Sequence, residues 1–172
     1  MKSVAAICGL LFLAIGAVTA NGQSNTMIQS TLRVELTNSS DVASIYVVNI
    51  GRVKFVYVNN GQWIQPFPAQ SISEIYVDAL DGHDLVTFSG DFGNIGARVF
   101  GRDGNDVIDC ADLWWCFING GDGDDVLWGS DGADSISGGD GDDEIRGFAG
   151  NDWLYGMEDL SLIHISEPTR PY

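Results

Sequence analysis

Gly120-Gly-Asp-Gly-Asp-Asp-Val-Leu-Trp128, Gly129-Ser-Asp-Gly-Ala-Asp-Ser-Ile-Ser137, Gly138-Gly-Asp-Gly-Asp-Asp-Glu-Ile-Arg146 and Gly147-Phe-Ala-Gly-Asn-Asp-Trp-Leu-Tyr155 follow one another without a gap. Gly holds the first and fourth places of all four nonapeptides, Asp the sixth, and an aliphatic residue the eighth. A short period repeated in phase describes a stack of identical turns, each too small to bury its own apolar side chain. Gly supplies the positive φ and the close backbone approach that a tight turn needs. Three strand residues follow each turn, and alternation sends the eighth place inward and the seventh and ninth outward. The sixth-place Asp stands where the turn enters the strand, with its carboxylate open to a cation.

Upstream, Gly101-Arg-Asp-Gly-Asn-Asp-Val-Ile-Asp109 fits the same frame. Ala79-Leu-Asp-Gly-His-Asp-Leu-Val-Thr87 fits it too, apart from the missing first Gly. Between the good copies lie degenerate ones. Residues 92–100 keep Val99 in the eighth place without the Asp, and residues 111–119 keep Ile118 there with Cys116 in the Asp position. The apolar eighth place therefore runs unbroken through Val86, Val99, Ile108, Ile118, Leu127, Ile136, Ile145 and Leu154. The carboxylate does not, so core formation and cation binding are separable demands.

These nonapeptides resemble the haemolysin-type (RTX) calcium-binding repeat, Gly-Gly-x-Gly-x-Asp-x-U-x with U a large apolar residue, over residues 79–155. The resemblance implies an all-β parallel β-roll in which two nonapeptides complete a coil and calcium sits between stacked turns. Its ligands would be the sixth-place carboxylates of Asp84, Asp106, Asp125, Asp134, Asp143 and Asp152, with turn carbonyls at Gly121, Gly123, Gly132, Gly139, Gly141 and Gly150. Alternate turns sort into two columns. The first holds residues 79–84, 101–106, 120–125 and 138–143, all with Asp; the second holds 92–97, 111–116, 129–134 and 147–152, of which the last two carry it. Three intercoil sites are expected in the first column and one in the second, with Asp125–Asp143 and Asp134–Asp152 the best pairs. Oxygen donors in flexible turns suit Ca2+ better than magnesium or a transition metal.

The charge agrees with a cation ligand. The chain carries 24 acidic against 8 basic residues, a net charge of −16. Residues 120–159 hold twelve of the acidic residues and one basic residue, Arg146. Nucleic acid and anionic membrane surfaces would be repelled. Lys2, an uncharged apolar run over residues 4–18 and the small residues Val18-Thr19-Ala20 form a secretory signal over residues 1–20, with the mature chain starting near Asn21. The rival, a membrane-anchoring helix, meets a short stretch and no cationic stop signal. A secreted, extracellular protein with no membrane span after cleavage is expected. In that oxidising compartment Cys110 and Cys116 are expected to form a disulfide, a metal–thiolate pair being the rival.

Residues 21–78 read as a β-rich N-terminal cap. Leu32 to Leu36 alternates, residues 44–50 and 52–58 are β-branched and aromatic, and Asn60-Gly61 signals a hairpin. Asn38-Ser-Ser40 fits a glycosylation sequon. The repeat region is taken as residues 79–159. A fifth copy starts at Gly156 and stops matching, and residues 160–172 resemble translated adapter read-through; the alternative is a C-terminal cap. No His-Glu-x-x-His or Gly-x-Ser-x-Gly motif occurs, and His83 sits in a variable fifth place, so a non-enzymatic structural or adhesive role is expected. The alternative is the repeat module of a longer secreted hydrolase or toxin. A surface glycan or protein partner, met by outward Trp114, Trp115, Trp128, Trp153 or Tyr155, is a third expectation.

Overall fold

The computed structural model describes residues 18–20, 23–28, 31–60, 64–158 and 162–165. They form strands β1 (Val18–Ala20), β2 (Gln23–Ile28), β3 (Thr31–Glu35), β4 (Val42–Ile50), β5 (Val53–Asn59) and β6 (Ile64–Pro68). After one 3-10 turn at Ala69–Ser71 come β7 (Glu74–Asp78), β8 (Leu85–Ser89), β9 (Gly96–Asp103), β10 (Val107–Asp109) and β11 (Cys116–Asp122). The last are β12 (Val126–Trp128), β13 (Ser135–Asp140), β14 (Glu144–Phe148), β15 (Trp153–Glu158) and β16 (Leu162–Ile165). The protein is all-β, a β-roll as the nonapeptides imply. The signal segment lies outside the described residues except for β1, which pairs antiparallel with β2.

From β7 onward the chain alternates between two sheets. One runs β1-β2-β3-β7-β9-β11-β13-β15, the other β16-β14-β12-β10-β8-β4-β5-β6. Within the coils all neighbours are parallel, and the register is set by the repeat. Val86, Ile108, Leu127 and Ile145 stand opposite one another in one sheet. Val77, Val99, Ile118, Ile136 and Leu154 do so in the other. All but the partly buried Leu154 are at most 1 % exposed, so the eighth places are the core. Each such burial contributes about 1.5–3 kcal/mol, and it needs no metal.

Parallel pairing extends upstream of residue 79. β3 pairs in register with β7, and β4 with β8, which makes 31–45 a coil of the solenoid. Two antiparallel excursions flank that coil: β1–β2 beside β3, and β5–β6 beside β4. The expected hairpin around Asn60 joins β5 to β6. These excursions lengthen the sheets at one end, leaving the outward seventh-place residues Val42 and Leu85 54 % and 36 % exposed. At the other end β16 pairs in parallel with β14, and Ile163 stands opposite Ile145 in the eighth-place register.

Candidate metal centres in the stacked turns

The turns that link the sheets stack in two columns despite intercoil spacings of 22, 19 and 18 residues in the first. Extra residues are absorbed elsewhere in the coil, and the sixth places stay aligned. In the first column each sixth-place carboxylate reaches back to the preceding coil. Oδ1 of Asp84 accepts the Asp41 N–H at 2.7 Å, and Asp106 accepts that of Asp84 at 2.8 Å. Asp125 accepts the Asp106 N–H at 2.8 Å, and Asp143 accepts that of Asp125 at 3.0 Å. In the second column Asp134 accepts the Cys116 N–H at 2.7 Å and Asp152 that of Asp134 at 3.1 Å.

The second carboxylate oxygen separates these residues. Oδ2 of Asp84, Asp106, Asp125 and Asp152 is buried and has no hydrogen-bond partner among the described residues. A buried acceptor without a donor costs about 1–3 kcal/mol, and more when charged. Burial accordingly pushes the carboxyls of Asp84 and Asp125 up to about 7 and that of Asp106 up to about 6. Neighbouring carboxylates raise Asp84 and Asp125 further, against the lowering effect of the N–H bonds. Asp152 is raised for the same first reason. At each of these positions an ionised carboxylate would have one oxygen without a donor.

Glycines shape the sites in two ways. Those in second and fourth places do what the sequence implies: Gly121, Gly123, Gly139, Gly141 and Gly150 all have φ between 121° and 133°. First-place glycines differ. Gly101, Gly120, Gly129, Gly138 and Gly147 are not in the left-handed region, and what excludes a side chain there is space. A Cβ on Gly129 would lie 2.6 Å from Oδ2 of Asp134, and on Gly120 or Gly138 it would overlap Oδ2 of Asp125 or Asp143. Gly132 is likewise required by space, against the Trp114 carbonyl. The carbonyls of Gly121, Gly123 and Gly132 point at the matching glycines of the next coil, Gly139, Gly141 and Gly150. Main-chain oxygens thus line the same intercoil gaps as the carboxylates.

Among the described residues no three His, Cys, Asp or Glu side chains converge on one point. A cation here would draw part of its shell from carbonyls. Hard oxygens from a few carboxylates and several turns fit calcium's large, flexible shell and suit neither zinc nor copper.

Asp134, joined to Asp152 through its N–H, differs from it in its own carboxylate. Ser130 Oγ donates to both its oxygens, at 2.9 and 3.1 Å, and the Ser130 N–H donates to Oδ2 at 2.6 Å. Its carboxylate is closed from within its own turn. Asp41 shows the same device: the N–H and Oγ1 of Thr37 donate to its Oδ2 at 2.8 and 2.6 Å. Ser130 and Thr37 both occupy the second place. Glycine there leaves the carboxylate open, as at Gly121 beside Asp125, whereas a hydroxyl residue seals it.

Two features escape the nonapeptide pattern. The turn 36–41 is a further first-column turn, with Asp41 sixth and Ala43 eighth; Asn38 Nδ2 donates to Asp81 at 3.0 Å across the gap. It lacks glycine, which hid it, though an Asp five residues after the Leu32–Leu36 alternation was a usable signal. The fifth place of the first column is not free to vary: Ser40 Oγ, His83 Nδ1, Asn105 Oδ1 and Asp124 Oδ1 each accept the fifth-place N–H of the following coil at 2.7–3.2 Å. His83 is therefore a stacking acceptor. The chemistry varies while the acceptor persists.

Cys110 and Cys116 are adjacent buried thiols, unbonded in this structure, so the expected disulfide is not formed here. Contact with Cys110 and burial push the Cys116 thiol up, which favours the protonated form. Cys116 takes the sixth place, where the upstream coils of this column hold the buried apolar residues Leu32, Ile75 and Ala97.

Residues 117–144 and 128–159 match the family model of the RTX calcium-binding nonapeptide repeat, in four copies. No curated protein and no solved structure is significantly similar to the chain. The in-phase glycines, the aligned sixth-place carboxylates and the parallel two-sheet coil fall on the same residues, so residues 117–159 carry RTX-type calcium-binding nonapeptide repeats.

Proposed function

We infer that this is a secreted calcium-binding β-roll whose ions sit between stacked turns, drive folding outside the cell and serve a structural or adhesive, non-catalytic role. The observation that carries this reading is the column Asp84–Asp106–Asp125. There each carboxylate has one oxygen tied to a neighbouring N–H and the other buried without a partner. Calcium would be held by these carboxylates with Asp143 and the turn carbonyls, and it would supply the missing positive charge. The second column offers Asp152, while Asp134 is already closed by Ser130. The raised carboxyls support a charge-neutralising ligand, and the scarcity of His and Cys beside them supports a hard one.

Extracellular calcium modules bind with Kd of roughly 10⁻⁴–10⁻³ M. At about tenfold excess over Kd each site adds about 1.4 kcal/mol. Three or four sites then contribute about 4–6 kcal/mol, comparable with the whole stability of a small domain, about 5–15 kcal/mol. Adding calcium to chelator-treated protein should therefore increase the β signal in far-ultraviolet circular dichroism and raise the melting temperature. An unchanged spectrum and melting curve would count against the reading.

A further inference from the structure

The sheet built from β9, β11, β13 and β15 carries a feature that the calcium columns do not explain. Its outward seventh places align as Arg98, Phe117, Ser135 and Trp153. Around them lies an open cleft of about 370 Å³, lined also by Trp115 and Asn151. In the register Ser135 stands between Phe117 and Trp153. The indole of Trp115 lies over Gly96, where any Cβ would overlap the ring, so its position is fixed from behind. Trp153 is 67 % exposed. The fifth places, which in the first column carry stacking acceptors, here hold Trp115, Ala133 and Asn151 and face the cleft. Across four neighbouring strands the cleft runs about 14 Å.

We propose that this cleft binds a neutral saccharide, which deepens the adhesive reading above by naming a partner and its place. The neighbouring chemistry favours this class over the others. A chain of net charge −16 repels polyanions. A cationic ligand would meet Arg98, whose guanidinium stands 6.0 Å from the Trp115 and Phe117 ring centroids and is tied to Glu74 through Nε at 2.5 Å. An extended peptide could add a strand only beyond β15, at the rim of the cleft, because β9, β11 and β13 are paired on both sides. A purely apolar ligand would cover the polar side chains of Ser135 and Asn151 without offering them a partner. A pyranose presents a C–H face to an indole and hydroxyls to those same polar groups, and the cleft's length suits a short oligosaccharide.

The test uses the full chain in calcium, its fold checked by circular dichroism, titrated with neutral tetrasaccharides (cello-, laminari-, manno- and chitotetraose) and read by tryptophan fluorescence and calorimetry. At least one should bind at millimolar concentration or below. Trp153→Ala should weaken it about tenfold or more. Trp114→Ala, 63 % exposed on the same face but outside the cleft lining, should leave it unchanged. Trp153 lies outside the core, so that variant should keep its dichroism and its calcium titration. No binding by any of the four, or equal losses in the two variants, overturns the proposal. A protein that folds without calcium would overturn only the calcium reading, since the saccharide titration remains interpretable on it.

Discussion

Replacing Asp125 by Asn should have opposite effects with and without calcium. Asp125 is 1 % exposed; its Oδ1 accepts the Asp106 N–H, its Oδ2 has no partner among the described residues, and its carboxyl lies at about 7. Raising a carboxyl from 3.8 to about 7 means that at about pH 8 the metal-free fold carries a penalty of at most about 4 kcal/mol for keeping this group ionised. Asn keeps the acceptor oxygen and removes the charge. Burying its NH2 takes back about 1–3 kcal/mol where an acceptor is poorly placed. The net expectation in chelator is a gain of about 1–3 kcal/mol. With calcium the sign reverses. Asp125 stands between the turns of Asp106 and Asp143, so the variant weakens two intercoil sites and loses about 3 kcal/mol at tenfold excess over the original Kd. Urea unfolding of both proteins, in EDTA and in millimolar calcium, reads both numbers. Destabilisation of similar size in both conditions would refute the reasoning, because Asp125 would then be a structural hydrogen-bond acceptor and nothing more.

In chelator, stability should fall as pH rises from about 4 to about 7. Asp84, Asp106 and Asp125 hold their protons in the folded state up to about 7, 6 and 7 and release them near 3.8 when unfolded, so the fold binds more protons across that window and each group contributes a slope of about −1.4 kcal/mol per pH unit. Calcium affinity should rise over the same window as protons leave; a metal-free urea midpoint that climbs with pH would contradict this. Ser130→Gly should remove the hydroxyl donor from Asp134 while the main-chain N–H bond to Oδ2 stays, costing about 1 kcal/mol in chelator and enlarging the calcium-induced rise in melting temperature; an unaltered metal-free stability would mean that the Ser130 hydroxyl does not seal the site. Cys110 and Cys116, side by side as buried thiols, are expected to be oxidised in the secreted protein, adding about 2 kcal/mol for so short a loop. Two reactive thiols in the denatured, unreduced protein would show otherwise.

The eighth-place ladder was fully legible, because a buried strand position must be apolar whatever else happens and nothing competes with that demand. Column phase was legible for the same reason, even across the uneven coils before Gly101 and Gly120. The first coil was not. Turn 36–41 replaces glycine with Thr37 and Ser39, and two antiparallel excursions interrupt the period beside it. The fifth-place ladder was hidden by its tolerance: Ser40, His83, Asn105 and Asp124 share only an acceptor atom, which a residue alphabet does not display. For first-place glycines the position was right and the reason incomplete, since the constraint comes from a carboxylate five residues away. The Ser130 seal shows most clearly why site residues are harder to read than cores. Asp134 and Asp152 look alike in the repeat, and a single second-place hydroxyl changes what the carboxylate needs.

That difference is graded along the chain. Down the second column the sixth place runs Leu32, Ile75, Ala97, Cys116, Asp134, Asp152, passing from apolar to acidic once. Down the first, Asp41 is sealed by Thr37, whereas Asp84, Asp106 and Asp125 are open. In the second column the upstream coils therefore bury apolar side chains where the downstream coils place carboxylates. In a solenoid whose coils touch only their neighbours, stability adds along the stack. The coil 31–45, whose one sixth-place carboxylate is sealed, is thus a template, offering the edges of β3 and β4 to the coils that follow. On this reading calcium would extend the roll from that coil. The antiparallel hairpins widen both sheets beside that same coil, where Thr37 seals Asp41.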